Sequence, residues 1–525
     1  MAIAEDIGYD ATGKPTNNNE LDFISVELGR FIEAIESGKD SFFLSSDIDK
    51  NKVFLINLSD SQTRIDPYYY KPDFLSLRKK LEGSSSFERV GNLIKSWNRG
   101  DGPRDGFYTD DMQNGVYFLR VNNLKEHTID VTEVKYITRF VHENTLKRAQ
   151  VTSGDLVFAI SGTKDNLGTV SIIPENILEA NLNSALVKLE LDWSIIDKKY
   201  FCYMFDLNIT KIQIDFIGKG AAQNNLNNQE ISQIHIFLPP INKQIEIVEY
   251  LEKANLRKKQ KELEAQRSLD SIDDYLLGEL GVELLQSEAN TIQSRIFYIQ
   301  SRDVLGSRFD PLYYLGNIYR LIEGSIFECE YMSNVTTYMK TGFAAGKQDQ
   351  SDDAQDIIQI RPTNLSDGRE FVFERNVYIH RSKLLDKKND ILQSGEVLFN
   401  NTNSQELVGK SIFFDLKDSY FCSNHITRIG VIQDKINPCY LTHILNLYQR
   451  KKVFFKICTN WNNQSGVNVN VLGKIKIPIP LLDKQLEIVE HIDAIRDRAK
   501  QLRQEAKADL EKAKQEVEAI ILGVE

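Results

Sequence analysis

The chain has 525 residues, 41% hydrophobic and 26% charged, with a net charge of −11. Those are the proportions of a soluble globular protein, and the length suits about three domains. No apolar run reaches membrane-spanning length and no basic n-region opens the chain, so the expected setting is cytoplasmic. The five cysteines, Cys202, Cys329, Cys422, Cys439 and Cys458, are scattered without a C-x-x-C pair, which argues against structural zinc and for a reduced compartment. Residues 1–60 hold 12 acidic and 5 basic side chains, so most of the negative charge sits in a preface and the remainder is close to neutral. A near-neutral chain grips nucleic acid strongly only where loops are locally basic or partners supply phosphate contacts.

Residues 8–20 have turn chemistry, and Phe23, Ile24, Leu28, Phe31, Ile32 and Ile35 then recur at helical spacing. R-I-D-P-Y-Y-Y (Arg64–Tyr70) begins a unit with strand-like runs at 116–121, 155–160 and 186–189 and helical stretches near 194–214. L-P-P-I-N-K-Q-I-E-I-V-E-Y-L (Leu238–Leu251) opens a long helix to about 280, with Ile245, Val248, Leu256, Leu263, Leu269, Ile272, Leu276 and Leu280 as its apolar positions.

The same order then repeats. R-F-D-P-L-Y-Y (Arg308–Tyr314) lies 244 residues after its first copy, and I-P-L-L-D-K-Q-L-E-I-V-E-H-I (Ile479–Ile492) lies 241 after its own. Arg120-Val-Asn-Asn123-Leu124 returns as Arg361-Pro-Thr-Asn364-Leu365, and Ser153-Gly154-Asp155 as Ser394-Gly395-Glu396. Strands are expected at 357–361 and 396–400. The closing helix has a heptad seam through Ile488, Ile492, Ile495, Ala499, Leu502, Ala506, Leu510, Ala513, Val517 and Ile520. A repeat of about 240 residues is a duplicated domain rather than a solenoid unit. The expectation is an α+β protein with a pseudo-twofold repeat: two tandem α/β domains joined by two long antiparallel coiled-coil helices. Its divisions are 1–60 (acidic preface), 61–240, 241–285 (helix), 286–480 and 481–525 (helix). A lone amphipathic helix of this length would leave its seam in water, so the two helices should pack on each other.

Two strings imitate an adenine methyltransferase: F-I-G-K-G (Phe216–Gly220), like a cofactor-binding glycine loop, and N-P-C-Y (Asn437–Tyr440), like a catalytic turn. The bland readings are preferred, because no helical period follows Gly220 and neither string survives in the other copy. Asn437 reads as a helix N-cap with Pro438 at the first helical position. Asp66 and Asp310 likewise read as caps, with the following tyrosines packing their helix. The seven histidines form no ligand-spaced cluster, Cys422-Ser-Asn-His425 reads as structural, and no phosphate loop is present.

Polar loops rich in Asn, Gln, Lys and Arg recur at matched places in both copies. Such side chains pair with base edges and phosphates, although Asn- and Gly-rich loops are also ordinary turns. The candidate DNA-binding residues are Arg99, Arg104, Lys164, Asn166, Lys219, Gln223 and Asn224 in the first copy. In the second they are Lys340, Lys347, Gln348, Asn400, Asn403, Asn460, Asn462 and Gln464.

The paired I-N-K-Q-I-E-I-V and L-D-K-Q-L-E-I-V helix starts, the R-x-D-P-x-Y-Y domain starts and the R-x-x-N-L and S-G-D/E strands together resemble the specificity subunits of type I restriction–modification systems over roughly residues 60–525. The resemblance implies a non-catalytic chain in which each domain is a target-recognition domain reading one half of a bipartite double-stranded DNA site. It implies helices that fix the half-site spacing and dock two methyltransferase subunits, and possible restriction subunits. It places S-adenosylmethionine and ATP on those partners, with no cofactor on this chain. The preface resembles the C-terminal tail of a methyltransferase subunit. Two other functions compete: a self-contained adenine methyltransferase, and a two-domain scaffold that binds protein.

Overall fold

The computed structural model describes the chain apart from residues 3–6, 10–14, 40, 47, 51, 58–66, 103–105, 218–223, 283–291, 294–295, 305–323, 462–463 and 524–525, and apart from the side chains of 7–9, 15–18, 68–69, 73, 224 and 302–303. It divides into two compact units, Met1–Lys259 with Ala506–Glu525, and Gln260–Glu505. Each unit therefore owns a stretch of each long helix, Ile241–Glu279 and Leu482–Leu522.

In the first unit a four-stranded antiparallel sheet runs Val170–Ile172, Leu156–Ala159, Leu186–Leu191, Ile94–Arg99. A second sheet of five strands contains the parallel pair Val116–Leu119 and Ala180–Leu182. In the second unit the matching four-stranded sheet runs Thr336–Thr341, Ile426–Val431, Val397–Asn400, Ser411–Phe413. Its companion sheet repeats the parallel pair, Ile357–Ile360 beside Phe421–Cys422. The expected strands and the helices at Lys198–Asp206 and Asn208–Ile217 are thus present.

The repeated motifs turn out to be frame. Gln485 is fully buried. Its Nε2 donates to the Lys435 and Pro480 carbonyls at 2.9 and 2.8 Å, and its Oε1 accepts from Asn437 N at 2.8 Å. Gln244 makes the same three bonds, to Ile195 O, Pro239 O and from Asp197 N, each at 2.8 Å. The K-Q dipeptide thus fastens the start of each long helix to its own α/β domain, through bonds that each contribute about 1 kcal/mol. Asn123 and Asn364 close the R-x-x-N-L turns, accepting from Arg120 N and Arg361 N at 2.9 Å and donating to Asp130 O and Val372 O at 2.9 Å. Gly154 and Gly395 take φ of 82° and 95°, which favours glycine, and aim the next carboxylate inward. Asp155 meets Lys188 at 2.6 Å, and Glu396 meets Arg428 at 2.5 and 3.0 Å.

In the second unit the long helices form an antiparallel ladder. Lys261 pairs with Glu505, Gln266 with Arg503, Tyr275 stacks on His491, and Glu279 pairs with Lys484. In the first unit Tyr250 hydrogen-bonds Glu516, and Leu251 and Ala254 share a core with Ala513, Val517 and Ile521. The seam departs from the expected one. Ile245, Leu256 and Leu263 are exposed, while Leu251, Ala254 and Ala265 are fully buried in their stead. Ile520 is exposed and Ile521 takes its place.

The preface belongs to the first unit. A hairpin, Ile7–Tyr9 with Pro15–Asn19, precedes a helix at Leu21–Glu36, as the spacing predicts. That helix buries only Glu27 and Ala34, and Phe23, Val26, Leu28, Ile32 and Ile35 all lie in solvent.

Candidate nucleic-acid interface

Strand Leu156–Ala159 leaves the first sheet and runs into Ser161–Gly162, which pairs with Asn224–Asn225. Leu226 N bonds Ile160 O, Ile160 N bonds Ala185 O, and Gly100 N bonds Leu186 O, each at 2.8–2.9 Å. These backbone bonds gather three chain segments, around residues 99–101, 160–168 and 224–226, on one edge of the unit. The second unit repeats the arrangement: Gly342 N bonds Ile426 O, Asn401 N bonds His425 O, and Val467 N bonds Asn401 O. Here the ribbon has three strands, Thr402–Asn403, Gln464–Gly466 and Thr459–Trp461. Gly100 and Gly342 are required by close approach, since a Cβ would fall 2.0 and 2.1 Å from the Asn183 and Cys422 carbonyl oxygens.

The polar side chains on these edges are placed by their own turns. Arg99 is exposed at a strand end, with its Nε donating to Ser184 O at 2.9 Å. Lys164 is exposed and pairs with Asp215 at 2.9 Å. Asn166 is half-buried beside Gly162, and its N–H closes the turn on Thr163 O. Asn224 lies in the ribbon by its backbone. In the second unit Lys340 donates to Asn389 O at 2.8 Å and lies over the Tyr338 ring. Lys347 and Gln348 are exposed on a 3-10 turn held by Asp349, which accepts from Gly346 N. Asn403 accepts from Ser404 N, and Asn460 accepts from Ser465 Oγ at 2.6 Å. Gln464 is exposed.

Asn400 departs from the surface expectation. It is fully buried, and its amide donates to Leu407 O inside the loop it precedes. The side chain therefore shapes the ribbon from beneath and presents nothing to a ligand. Arg104, Lys219, Gln223 and Asn462 lie outside the described residues, as do Asp66 and Asp310. Of the tyrosines expected to pack beside Asp66, Tyr70 is buried in the first unit's core.

Trp461 escaped the sequence reading. It is 46% exposed on the ribbon beside Asn460 and Gln464, and its indole covers Gly466, where a Cβ would lie 2.4 Å from the ring. A half-exposed tryptophan among amides offers an apolar surface for a base or a thymine methyl. The sequence signal was available, since an indole inside T-N-W-N-N-Q has no apolar neighbours to pack against.

The catalytic look-alikes resolve as structure. Asn437 caps the helix Pro438–Arg450, its Oδ1 accepting from Cys439 N and Tyr440 N at 2.8 and 3.2 Å. Phe216 and Ile217 end a helix rather than a strand, which is the wrong element for a cofactor loop. Burial pushes the Cys422 thiol up to about 12 and the Cys439 thiol up to about 11, far from nucleophilic. Among the described residues no group of His, Cys, Asp or Glu could hold a metal, and no helix is long and apolar enough to cross a membrane.

A model of the type I restriction modification DNA specificity domain matches residues 111–267 and again 339–512, together more than half of the chain. The chain belongs to the type I restriction–modification DNA specificity family. The two family matches contain both ribbons, both buried helix-start glutamines and both Asn-closed turns. One relative, the putative type I restriction enzyme MjaX specificity subunit of Methanocaldococcus jannaschii, is 31% identical over 18% of this chain and 23% of its own length. The alignment with it thus spans about a quarter of that protein. The MjaVIII specificity subunit of the same organism is 21% identical over 83% of this chain and 91% of its own. A chain from a solved type I R-M system is 14% identical and covers 83% of this chain and 96% of its own, with a TM-score of 0.48.

Proposed function

We propose that this chain is the DNA-recognition subunit of a type I restriction–modification complex, each unit reading one half of a bipartite duplex site. The observation that carries this reading is the gathering of divergent polar loops on the same edge of two copies of one frame. A shared frame suits two equivalent partner contacts, and divergent loops suit two different half-sites. In this reading the long helices act as a coiled-coil spacer and dock two methyltransferase subunits. About 10 base pairs between half-sites span roughly 34 Å, within the length of a helix of this size. Adenine methylation with S-adenosylmethionine, and ATP-driven cleavage where a restriction subunit is present, belong to cytoplasmic partners. The reconstituted complex should bind duplex DNA with sequence selectivity and with affinity that falls steeply with salt. Fluorescence anisotropy against cognate and scrambled duplexes tests this, and equal affinity for both would overturn it.

The exposed apolar face of Leu21–Glu36 supports a second element of the proposal: the preface, resembling a methyltransferase tail, helps hold that partner. An exposed apolar stripe including Phe23, Leu28, Ile32 and Ile35 marks a contact surface. Deletion of residues 1–40 should reduce co-purification with the methyltransferase chain, and unchanged association would refute the docking role.

A further inference from the structure

The three tryptophans of the chain are not alike. Trp97 and Trp193 pack against the first unit's core, and Trp193 donates its indole N–H to Glu190 at 2.7 Å. Trp461 lies in the second unit on Thr459–Trp461, an edge strand of the three-stranded ribbon. Its strand neighbours Thr459 and Asn460 and its pairing partner Gln464 are polar and exposed, so the ribbon gives the indole no apolar company there. The ring nevertheless has a fixed seat. Its benzo edge, Cη2 and Cζ3, rests on Gly466, where a Cβ would fall 2.4 and 3.1 Å from those two atoms. The side chain is still 46% exposed, and its Nε1–H bonds nothing among the described residues.

The seat and the exposure together decide what the ring is suited to. A side chain needed only to cover Gly466 would be served by a phenyl ring, which carries no N–H to satisfy. The indole brings two things to the surface at once, an apolar ring and a single donor with no acceptor of its own. In the major groove, thymine alone sets a methyl group beside an acceptor, its C5 methyl next to O4. Guanine shows two acceptors without a methyl, adenine an acceptor and a donor, and cytosine a donor. A β-ribbon is also one of the elements that the major groove admits.

We propose that Trp461 is a specificity-determining residue that selects a thymine in the half-site read by the second unit, a proposal that rests on the DNA-recognition reading above. The ring packs on the C5 methyl, and Nε1–H donates to O4 directly or through water. Gly466 is the positioning residue, because any side chain there would push the indole off its seat.

The test uses the complex reconstituted with its methyltransferase partner and the duplex motif that methylome sequencing defines. Each thymine of the motif is replaced in turn by uracil, which lacks the C5 methyl, and binding is followed by anisotropy. At one position in one half-site uracil should weaken binding by the unaltered complex about threefold or more, as expected for the loss of one buried methyl. Trp461→Ala should bind the thymine and uracil duplexes equally at that position. Trp461→Phe, which keeps the ring over Gly466 and loses the N–H, should bind more weakly yet keep the methyl dependence. A complex without sequence selectivity overturns the recognition reading and this proposal with it. A selective complex in which every uracil penalty survives Trp461→Ala overturns this proposal alone. So does a Trp461→Ala chain that binds DNA normally and co-purifies poorly with the methyltransferase chain, which would assign the indole to a protein contact.

Discussion

Arg428→Met should destabilise the second unit by about 3–5 kcal/mol, because it leaves a buried carboxylate without its partner. Arg428 and Glu396 are among the most enclosed charged pairs described here, with side chains 2% and 3% exposed. Nearly the whole guanidinium is in use: Nε and Nη2 on Glu396, Nη1 on Asn389 O at 3.0 Å, and Nη2 also on Ile391 O at 2.7 Å. Tyr338 adds its hydroxyl to the same carboxylate. For a unit of this size the loss corresponds to a drop of about 10 °C in the melting temperature, readable by scanning calorimetry. The counterpart Lys188→Met should cost far less, since Lys188 and Asp155 are 26% and 15% exposed and solvent can take over the carboxylate. The double change Arg428→Met with Glu396→Leu should recover most of the stability, because an apolar pair of similar volume removes both desolvation costs. Equal losses for Arg428→Met and Lys188→Met would show that burial does not set the difference.

Alanine at Asn403, Asn460 and Gln464 together should weaken binding of the assembled complex to its cognate duplex by about a hundredfold or more. Each lost base-edge contact is worth roughly 1–3 kcal/mol of discrimination. These side chains lie on one three-stranded ribbon, so the loss should fall on a single half-site. Anisotropy against duplexes altered in one half at a time makes the point: the triple variant should become indifferent to changes in one half and remain sensitive in the other. Lys164→Ala or Lys347→Ala should instead weaken binding uniformly and flatten the salt dependence, as phosphate contacts do. Unaltered selectivity in the triple variant would remove the ribbon from the interface.

Much of the fold is legible in the sequence because the repeat supplies a second reading of every motif. The K-Q helix starts, the R-x-x-N-L turns and the S-G-D/E corners stand out at an offset of 241 residues, and each proves to be a joint held by hydrogen bonds or an ion pair. The Asn437 cap was legible without the repeat, since Asn before Pro is local chemistry. What escaped depends on contacts distant in sequence. Periodicity favours Leu256 and Leu263 for the helix seam, yet Ala254 and Ala265 are the buried positions and both leucines are exposed. Asn400 looks like its loop neighbours until strand pairing carries it under the ribbon. The apolar spacing of Leu21–Glu36 foretells a helix, and only the fold reveals that Phe23, Val26, Leu28, Ile32 and Ile35 stay exposed on it.

The central claim is that two copies of one frame each read half of an interrupted site. Methylome sequencing of a host expressing this chain with its methyltransferase partner tests it most directly. The account predicts methylated adenines in a single motif made of two specified half-sites separated by a fixed number of unspecified base pairs. A continuous motif without a gap, or methylation without any shared motif, would contradict it.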